Sequence, residues 1–320
     1  MFMEVERLRV SFPSVAGLLR AVDGVSFGVA EGEVLGLAGE SGCGKTTTAL
    51  SLLRLVRPPG VVEGSIVFDG KDIMELNDEG LREYRWKEVS MVFQGAMSSL
   101  NPVKKVGYQL VDTILDHTRL KRQEAIRLAE AALKKVRLPE DVLERFPHQL
   151  SGGQKQRVVI AMAIALNPRL IIADEPTTAL DVLTQEKILT LLRDIVRSTG
   201  SAILFISHDL SVLAKICDRI AVMYMGRILE MGRKEDVLFS PAHPYTKGLI
   251  DSNITIDKRG SLVQPVGGSP DLVVGDVRGC RFNPRCAHAT PECVASEPPR
   301  LEYRGGRSVY CYHPRYVENE

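Results

Sequence analysis

Gly39-Glu40-Ser41-Gly42-Cys43-Gly44-Lys45-Thr46 fits the pattern G-x-x-x-x-G-K-S/T in full. Glycines at these positions let backbone N–H groups converge on phosphate oxygens without side-chain obstruction. A helix opening at Lys45 would turn its positive end toward the same anion. Lys45 suits the β- and γ-phosphates of a nucleotide, the Thr46 hydroxyl suits Mg²⁺, and Thr47 is a further candidate phosphate contact. A chance glycine turn is the bland alternative, and the flanking strand and helix patterns argue against it. Such a loop calls for a magnesium-binding carboxylate at the end of a buried strand. The run Leu170-Ile171-Ile172-Ala173 ends in Asp174 and Glu175. Asp174 would hold Mg²⁺ directly or through water, and Glu175 would polarise an attacking water.

A second chemistry is written in the cysteines. Four of the six, Cys280, Cys286, Cys293 and Cys311, fall in the last 41 residues. Four thiolates suit Zn²⁺ or an iron–sulfur cluster, although no C-x2-C pair is present; unliganded thiols are the remaining alternative. His288 and His313 are near enough in sequence to be ligands instead. Cys43 sits inside the phosphate loop near a helix start, where a thiol's pKa can fall; a tolerated small residue is the plainer reading.

The elements that must position these residues follow from patterning. Leu8 to Phe12 and Gly64 to Phe68 alternate at period two, and Val34 to Ala38 is a short apolar run meeting the glycine loop. Lys45 to Val56 reads as a helix. Residues 95–165 read as mainly helical; Ile126, Ala129, Leu133 and Val136 mark the inner face of an amphipathic helix over 121–136. Buried-strand runs at 170–173 and 202–206 flank a helix over 184–197, which implies a mainly parallel sheet. After Gly232 the texture changes. Pro241, Pro244, Pro265, Gly267, Gly268, Pro270, Gly275 and Gly279 break any long element, and residues from about 240 onward read as a small appended domain.

Composition bounds the rest. With 320 residues, 44% hydrophobic and 25% charged, the chain has ordinary globular usage and is not a disordered one. Its 41 basic and 40 acidic residues leave a formal charge of +1, so bulk charge favours neither nucleic acid nor an anionic membrane surface. The longest apolar run, Val158 to Leu166, is far short of the roughly 18 residues a spanning helix needs. The N-terminus lacks the pattern of a secretory signal, and the expectation is a soluble cytoplasmic protein.

Leu150-Ser151-Gly152-Gly153-Gln154 is more specific than any of these. Here the chain resembles the ATP-binding subunits of ABC transporters, whose signature is this pentapeptide. The companions follow in order: Gln94 after Met91-Val92-Phe93, Asp181 in Ala179-Leu180-Asp181, and His208 in Ile206-Ser207-His208-Asp209. The resemblance covers roughly residues 5–250, with further similarity in the tail. It implies an α/β fold: a P-loop NTPase core with an antiparallel β-subdomain, an inserted α-helical subdomain and a small C-terminal Cys-rich domain. The boundaries expected are 1–240 for the nucleotide-binding domain, with its helical subdomain at about 95–165, and 241–320 for the C-terminal extension with its four-Cys metal site.

The resemblance also assigns roles. Ser151, Gly152, Gly153 and Gln154 form a second glycine-rich anion loop ahead of a helix. One rigid domain does not cradle a nucleotide with two distant loops, but two subunits head to tail can, with ATP as the glue and Ser151 at the partner's γ-phosphate. Asp181 would line that dimer seam, and Gln94 would sense Mg²⁺ and the attacking water. His208 would contact the γ-phosphate, although a lone His is more often a core residue. Phe12 would stack on adenine, with a strand-core aromatic as its alternative, and Asp209 reads as a helix N-cap.

Ser98-Ser99-Leu100-Asn101-Pro102, Pro147-His148-Gln149, the run from Asp174 to Val182, and His243-Pro244-Tyr245-Thr246 resemble the dipeptide/oligopeptide importer group. The run Ala161 to Leu166 looks like its D-type subunit. Gln94-Gly95-Ala96 departs from the acid and proline that many members carry after the glutamine. The resemblance implies ATP hydrolysis with Mg²⁺, coupled to import of short peptides or, as the alternative, oligosaccharides. It implies a heterodimer with an F-type chain, two membrane permeases, an external substrate-binding protein, no nucleic acid, and a peripheral place on the cytoplasmic face of the membrane. Similar tails are associated with a 4Fe–4S cluster, Zn²⁺ being the alternative. A soluble ABC ATPase of DNA repair or translation is a competing class, but such proteins carry a coiled-coil insertion or a second cassette. A non-hydrolysing regulatory module is opposed by Glu175, His208 and the intact signature.

Overall fold

The computed structural model describes residues 1–95, 98–254, 274–275 and 277–315. Ala96, Pro265, Gly267, Gly268 and Pro270, used above as breakers or departures, lie outside the described residues. In chain order the elements are β1 (Met3–Ser14), β2 (Gly17–Val29), β3 (Val34–Ala38), α1 (Lys45–Leu52), β4 (Val61–Phe68), β5 (Lys71–Asp72), α2 (Asp78–Lys87) and β6 (Val89–Val92). Then come α3 (Val106–His117), α4 (Arg122–Lys135), α5 (Gly152–Ile164), β7 (Leu170–Asp174), α6 (Val182–Thr199), β8 (Ala202–Ser207), α7 (Leu210–Ile216), β9 (Arg219–Tyr224) and β10 (Arg227–Arg233). The chain continues with α8 (Lys234–Phe239), α9 (Pro244–Ile254), α10 (Pro291–Ala295), β11 (Arg300–Tyr303) and β12 (Arg307–Tyr310).

The chain divides into two compact units: Met1–Val29, Val34–Met74 and Ile206–Glu320 form one, Ala30–Glu33 and Glu75–Phe205 the other. In the first unit an antiparallel sheet runs β2-β1-β4-β5. β1 buries Met3, Val5, Leu8 and Val10, and Arg7, at φ 48°, sits where the register with β2 and β4 shifts. A second set of strands follows the order β11-β12-β10-β9-β3. β3 is buried throughout and pairs parallel with β9, as a strand covered on both faces requires. β9–β10 and β10–β12 are antiparallel, so the expectation of a mainly parallel arrangement holds only away from this edge.

The second unit carries β6 and β7 in parallel, with Val92 opposite Ala173, and β8 as far as Phe205 beside β7. Its helices α3, α4 and α5 fall inside the stretch expected to be helical. α6 is longer than the 184–197 expected because it is capped at both ends. Asp181 accepts the Thr184 N–H at 2.9 Å, and Gly200, left-handed at φ 72°, closes it.

α1 ends at Leu52, not Val56. Arg54 takes φ 49° and the Pro58-Pro59 pair follows, which no helix continues through. The tail, expected as a separate small domain from 241, belongs to the first compact unit. β12 pairs with β10, Glu230 opposite Val309, and Arg307 donates to the buried Glu230 Oε1 at 2.6 Å. The expected break near 240 is therefore crossed by sheet hydrogen bonds and a buried ion pair.

Candidate active site

The first unit supplies the phosphate loop between β3 and α1. At Gly39, φ 149°, an added Cβ would lie 2.1 Å from the Met223 carbonyl oxygen; at Gly44, φ 103° and N-cap of α1, it would lie 2.3 Å from the Ala21 oxygen. Only glycine fits either place. Ser41, Gly42 and Thr46 are exposed and Thr47 is half-buried, so the loop's rim is open to a ligand. Lys45 is buried, and its Nζ donates to the carbonyls of Gly39 and Glu40 at 2.8 Å each. Cys43 is buried, and burial pushes its thiol pKa up despite Lys45 beside it. Its position near a helix start therefore does not activate it.

His208 is exposed just past β8 and is no core histidine. Asp209 caps α7 as expected, accepting the Ser211 N–H at 2.8 Å. Phe12 lies on β1 opposite Leu19, half-buried, with its ring against Gly60. The ring is therefore neither fully buried nor free of protein contact.

In the second unit the parallel register brings two predicted residues together. Gln94 and Glu175 each stand two positions beyond the Val92–Ala173 pair of β6 and β7. Gln94 Nε2 donates to Glu175 Oε2 at 3.1 Å. Thr178 Oγ1 donates to the same oxygen at 2.9 Å; the sequence reading missed this residue, although an i, i+3 turn hydroxyl is its signal. Glu175 takes φ 47°, a conformation costing on the order of 1–3 kcal/mol. Asp174 is 1% exposed, and its Oδ1 accepts no hydrogen bond from any described residue. A buried carboxylate oxygen of this kind fits a cation.

Ser151 is the N-cap of α5, which begins with Gly152 and Gly153. Its hydroxyl accepts the Gln154 N–H at 3.3 Å, and Gln154 Oε1 accepts the Ser151 N–H at 3.0 Å. This reciprocal cap fixes the loop, yet the hydroxyl keeps its own proton to donate to an anion. Asp181 is likewise a helix cap, and its hydrogen bonds from Thr184 hold its carboxyl below the usual range.

Cys280, Cys286, Cys293 and Cys311 line one small cavity with Phe282, His243 and others. Burial pushes the thiols of Cys280 and Cys286 up and that of Cys311 up to about 11. His288 and His313 also line the cavity, but are engaged by Arg315 at 2.9 Å and Thr290 at 3.0 Å. Among the described residues no three His, Cys, Asp or Glu side chains are gathered closely enough to hold a metal ion.

Comparisons with known proteins converge on one family. The family model "ABC transporter" matches residues 22–178, and "Oligopeptide/dipeptide transporter, C-terminal region" matches residues 229–293. The chain is 41% identical to the oligopeptide transport ATP-binding protein OppD of Escherichia coli (strain K12), over 98% of this chain and 93% of that protein. It is 40% identical to the dipeptide transport ATP-binding protein DppD of Bacillus subtilis (strain 168), over 97% of this chain and 94% of that protein. Among solved structures, the dimeric bacterial ABC transporter cassette MJ0796 superposes with a TM-score of 0.64 at 30% identity, covering 72% of this chain and 98% of that one. A phosphate loop and a capped signature loop carried on this fold define an ATP-binding cassette ATPase. The chain belongs to the ABC transporter ATP-binding subunits, in their oligopeptide/dipeptide group.

Proposed function

We propose that this chain powers the import of short peptides by ATP-driven closure and hydrolytic opening of a pair of nucleotide-binding subunits. The observation that carries the reading is a Glu175 carboxylate held by Gln94 and Thr178, in a chain whose other compact unit has a complete phosphate loop. Lys45 exchanges its carbonyl partners for the nucleotide's phosphates, with Ser41, Gly42, Cys43, Gly44 and Thr47 lining the cradle. Thr46 and Asp174 would hold Mg²⁺, which supplies charge neutralisation at the phosphates. Glu175 takes the proton of the attacking water, and Gln94 relays the state of that carboxylate. Ser151 donates to the γ-phosphate bound by the other subunit, and Asp181 lines the seam. His208 contacts the γ-phosphate and Phe12 the adenine.

The other subunit in this reading is an F-type chain. Two permeases span the membrane in this reading; among the described residues no helix of this chain is long and apolar enough to cross one. A substrate-binding protein delivers the cargo, and the chain sits peripherally on the cytoplasmic face. We assign Cys280, Cys286, Cys293 and Cys311 to a 4Fe–4S cluster, with Zn²⁺ as the alternative. The support is that all four line one cavity with His243; no three of them stand close enough to hold a metal as described, so binding would have to draw the thiols together. The Nδ1 of His243 accepts the Tyr245 N–H at 3.0 Å, which leaves the proton on a buried Nε2 that no described residue accepts. Such a group would supply cross-linking of a Pro/Gly-rich segment rather than electron transfer. ATPase stimulation of the reconstituted transporter by di- to pentapeptides, but not by oligosaccharides, is the expected result. Stimulation by oligosaccharides alone overturns the peptide assignment.

A further inference from the structure

The cysteine segment reaches the phosphate loop directly. Asn283–Arg285 is a single 3-10 turn between Cys280 and Cys286, pinned by Asn283 Nδ2 to the Cys280 carbonyl at 2.6 Å and by the Cys286 N–H to the Asn283 carbonyl at 3.2 Å. From that turn Arg285 grips Glu40, the second residue of the phosphate loop, with Nη1 on Oε2 at 2.8 Å and Nη2 on Oε1 at 2.9 Å. The pair is mostly out of water, at 9% and 23% exposure. Hydrogen bonding to Glu40, and to Tyr224 beside it, raises the Arg285 pKa, so this guanidinium stays charged.

Every polar group of Glu40 is engaged. Its N–H donates to the Tyr245 hydroxyl at 3.2 Å, and its carbonyl accepts Lys45 Nζ at 2.8 Å and the Cys43 N–H at 3.3 Å. Behind the fork, Arg285 Nη1 donates to the Tyr224 hydroxyl at 3.2 Å. Tyr224, Tyr245 and Phe282 pack as a trio, tilted or edge-to-face, with ring centroids 4.6 to 5.4 Å apart. The side chain of this loop residue is thus held by an arginine that arrives 245 residues later, on the turn between two cysteines.

We infer that Arg285 is a positioning residue for nucleotide binding: through Glu40 it holds the phosphate loop, and it makes ATP affinity depend on the folded cysteine segment. A bidentate fork fixes the plane of the carboxylate as well as its place. Glu40 is covalently next to Gly39 and its carbonyl accepts Lys45 Nζ, so loosening its side chain lets this stretch of the loop leave the shape that receives phosphate. The inference rests on the reading of residues 39–46 as the ATP phosphate loop.

The test is the dissociation constant of ATP for the full-length chain, in parallel with its thermal midpoint. Arg285→Ala and Glu40→Gln are each expected to weaken ATP about tenfold, the loss of one charge-assisted interaction. The double variant is expected to be no worse than either single one. Cys280→Ser with Cys286→Ser is expected to weaken ATP in the wild-type background and to add nothing to Arg285→Ala. Lys45→Ala serves as the reference and weakens ATP in every background. If Lys45→Ala lowers affinity while Arg285→Ala stays within twofold of wild type, the inference is overturned. If Lys45→Ala has no effect, the phosphate-loop reading itself fails. Should Arg285→Ala not fold, Arg285→Lys decides, since it keeps the charge and loses the fork: wild-type affinity overturns the inference, and a severalfold loss at an unchanged midpoint supports it.

Discussion

Asp23→Asn removes one charge and almost no volume from a buried carboxylate that faces four arginines. Asp23 lies on β2 with its side chain 2% exposed. It accepts from Arg281, whose side chain is 1% exposed, from Arg227 Nη2 at 2.8 Å and from Arg9 Nε at 3.2 Å, with Arg20 at 3.8 Å. Asparagine leaves Arg281 buried and charged against an amide. Breaking a buried pair on one side costs about 3–5 kcal/mol. For a unit of this size 1 kcal/mol moves the midpoint by about 2–4 °C, so a fall of roughly 6–20 °C is expected at neutral pH. Adding Arg281→Met should restore part of it, because the stranded charge is gone. Burial pushes the Asp23 pKa up, but Arg227, Arg281 and Arg20 outweigh it and hold it below 3.8. A depressed carboxylate stabilises fully above its unfolded pKa and loses that contribution as pH falls through the folded one. The gap between wild type and Asp23→Asn must therefore narrow as pH drops below 3.8. Differential scanning calorimetry across pH reads both effects. A shift under about 2 °C at neutral pH, or a gap that does not shrink in acid, refutes the reasoning.

Thr178→Val removes a donor to Glu175 Oε2, so turnover should fall severalfold with ATP affinity unchanged in a binding titration. Ser151→Ala removes the acceptor for the Gln154 N–H, at about 0.5–2 kcal/mol of stability. Steady-state assays should show a loss of turnover larger than the midpoint shift explains. Cys43, buried and with a raised pKa, should alkylate at least about tenfold more slowly than in the denatured chain, followed by mass spectrometry of the peptide. Anaerobic purification with iron, sulfide and zinc analysis should find about four irons and four sulfides per chain; one zinc or neither metal excludes the cluster.

The phosphate loop, the Asp174–Glu175 strand end and the signature were legible because chemistry fixes their residue types at short spacing. Helix ends were legible where a cap residue announces them, as at Ser151 and Asp209, and misjudged at Leu52, where a left-handed Arg54 ends the helix without a glycine. What stayed hidden is long-range. Asp23 with Arg281 and Glu40 with Arg285 are separated by 258 and 245 residues, and each member alone looks like an ordinary surface charge. The same holds for β10 and β12, whose pairing turns an apparent appendage into a sheet edge. Gln94 and Glu175 were named separately, but their hydrogen bond follows from a strand register that no local pattern encodes.

Mg²⁺-dependent ATP turnover of the purified chain, compared with Glu175→Gln under the same ATP, tests the central claim most directly. The variant should keep wild-type ATP affinity, lose turnover at least about a hundredfold, and elute as an ATP-dependent dimer. Near-normal turnover in Glu175→Gln would contradict the account, because no other described carboxylate is held in its place by Gln94 and Thr178.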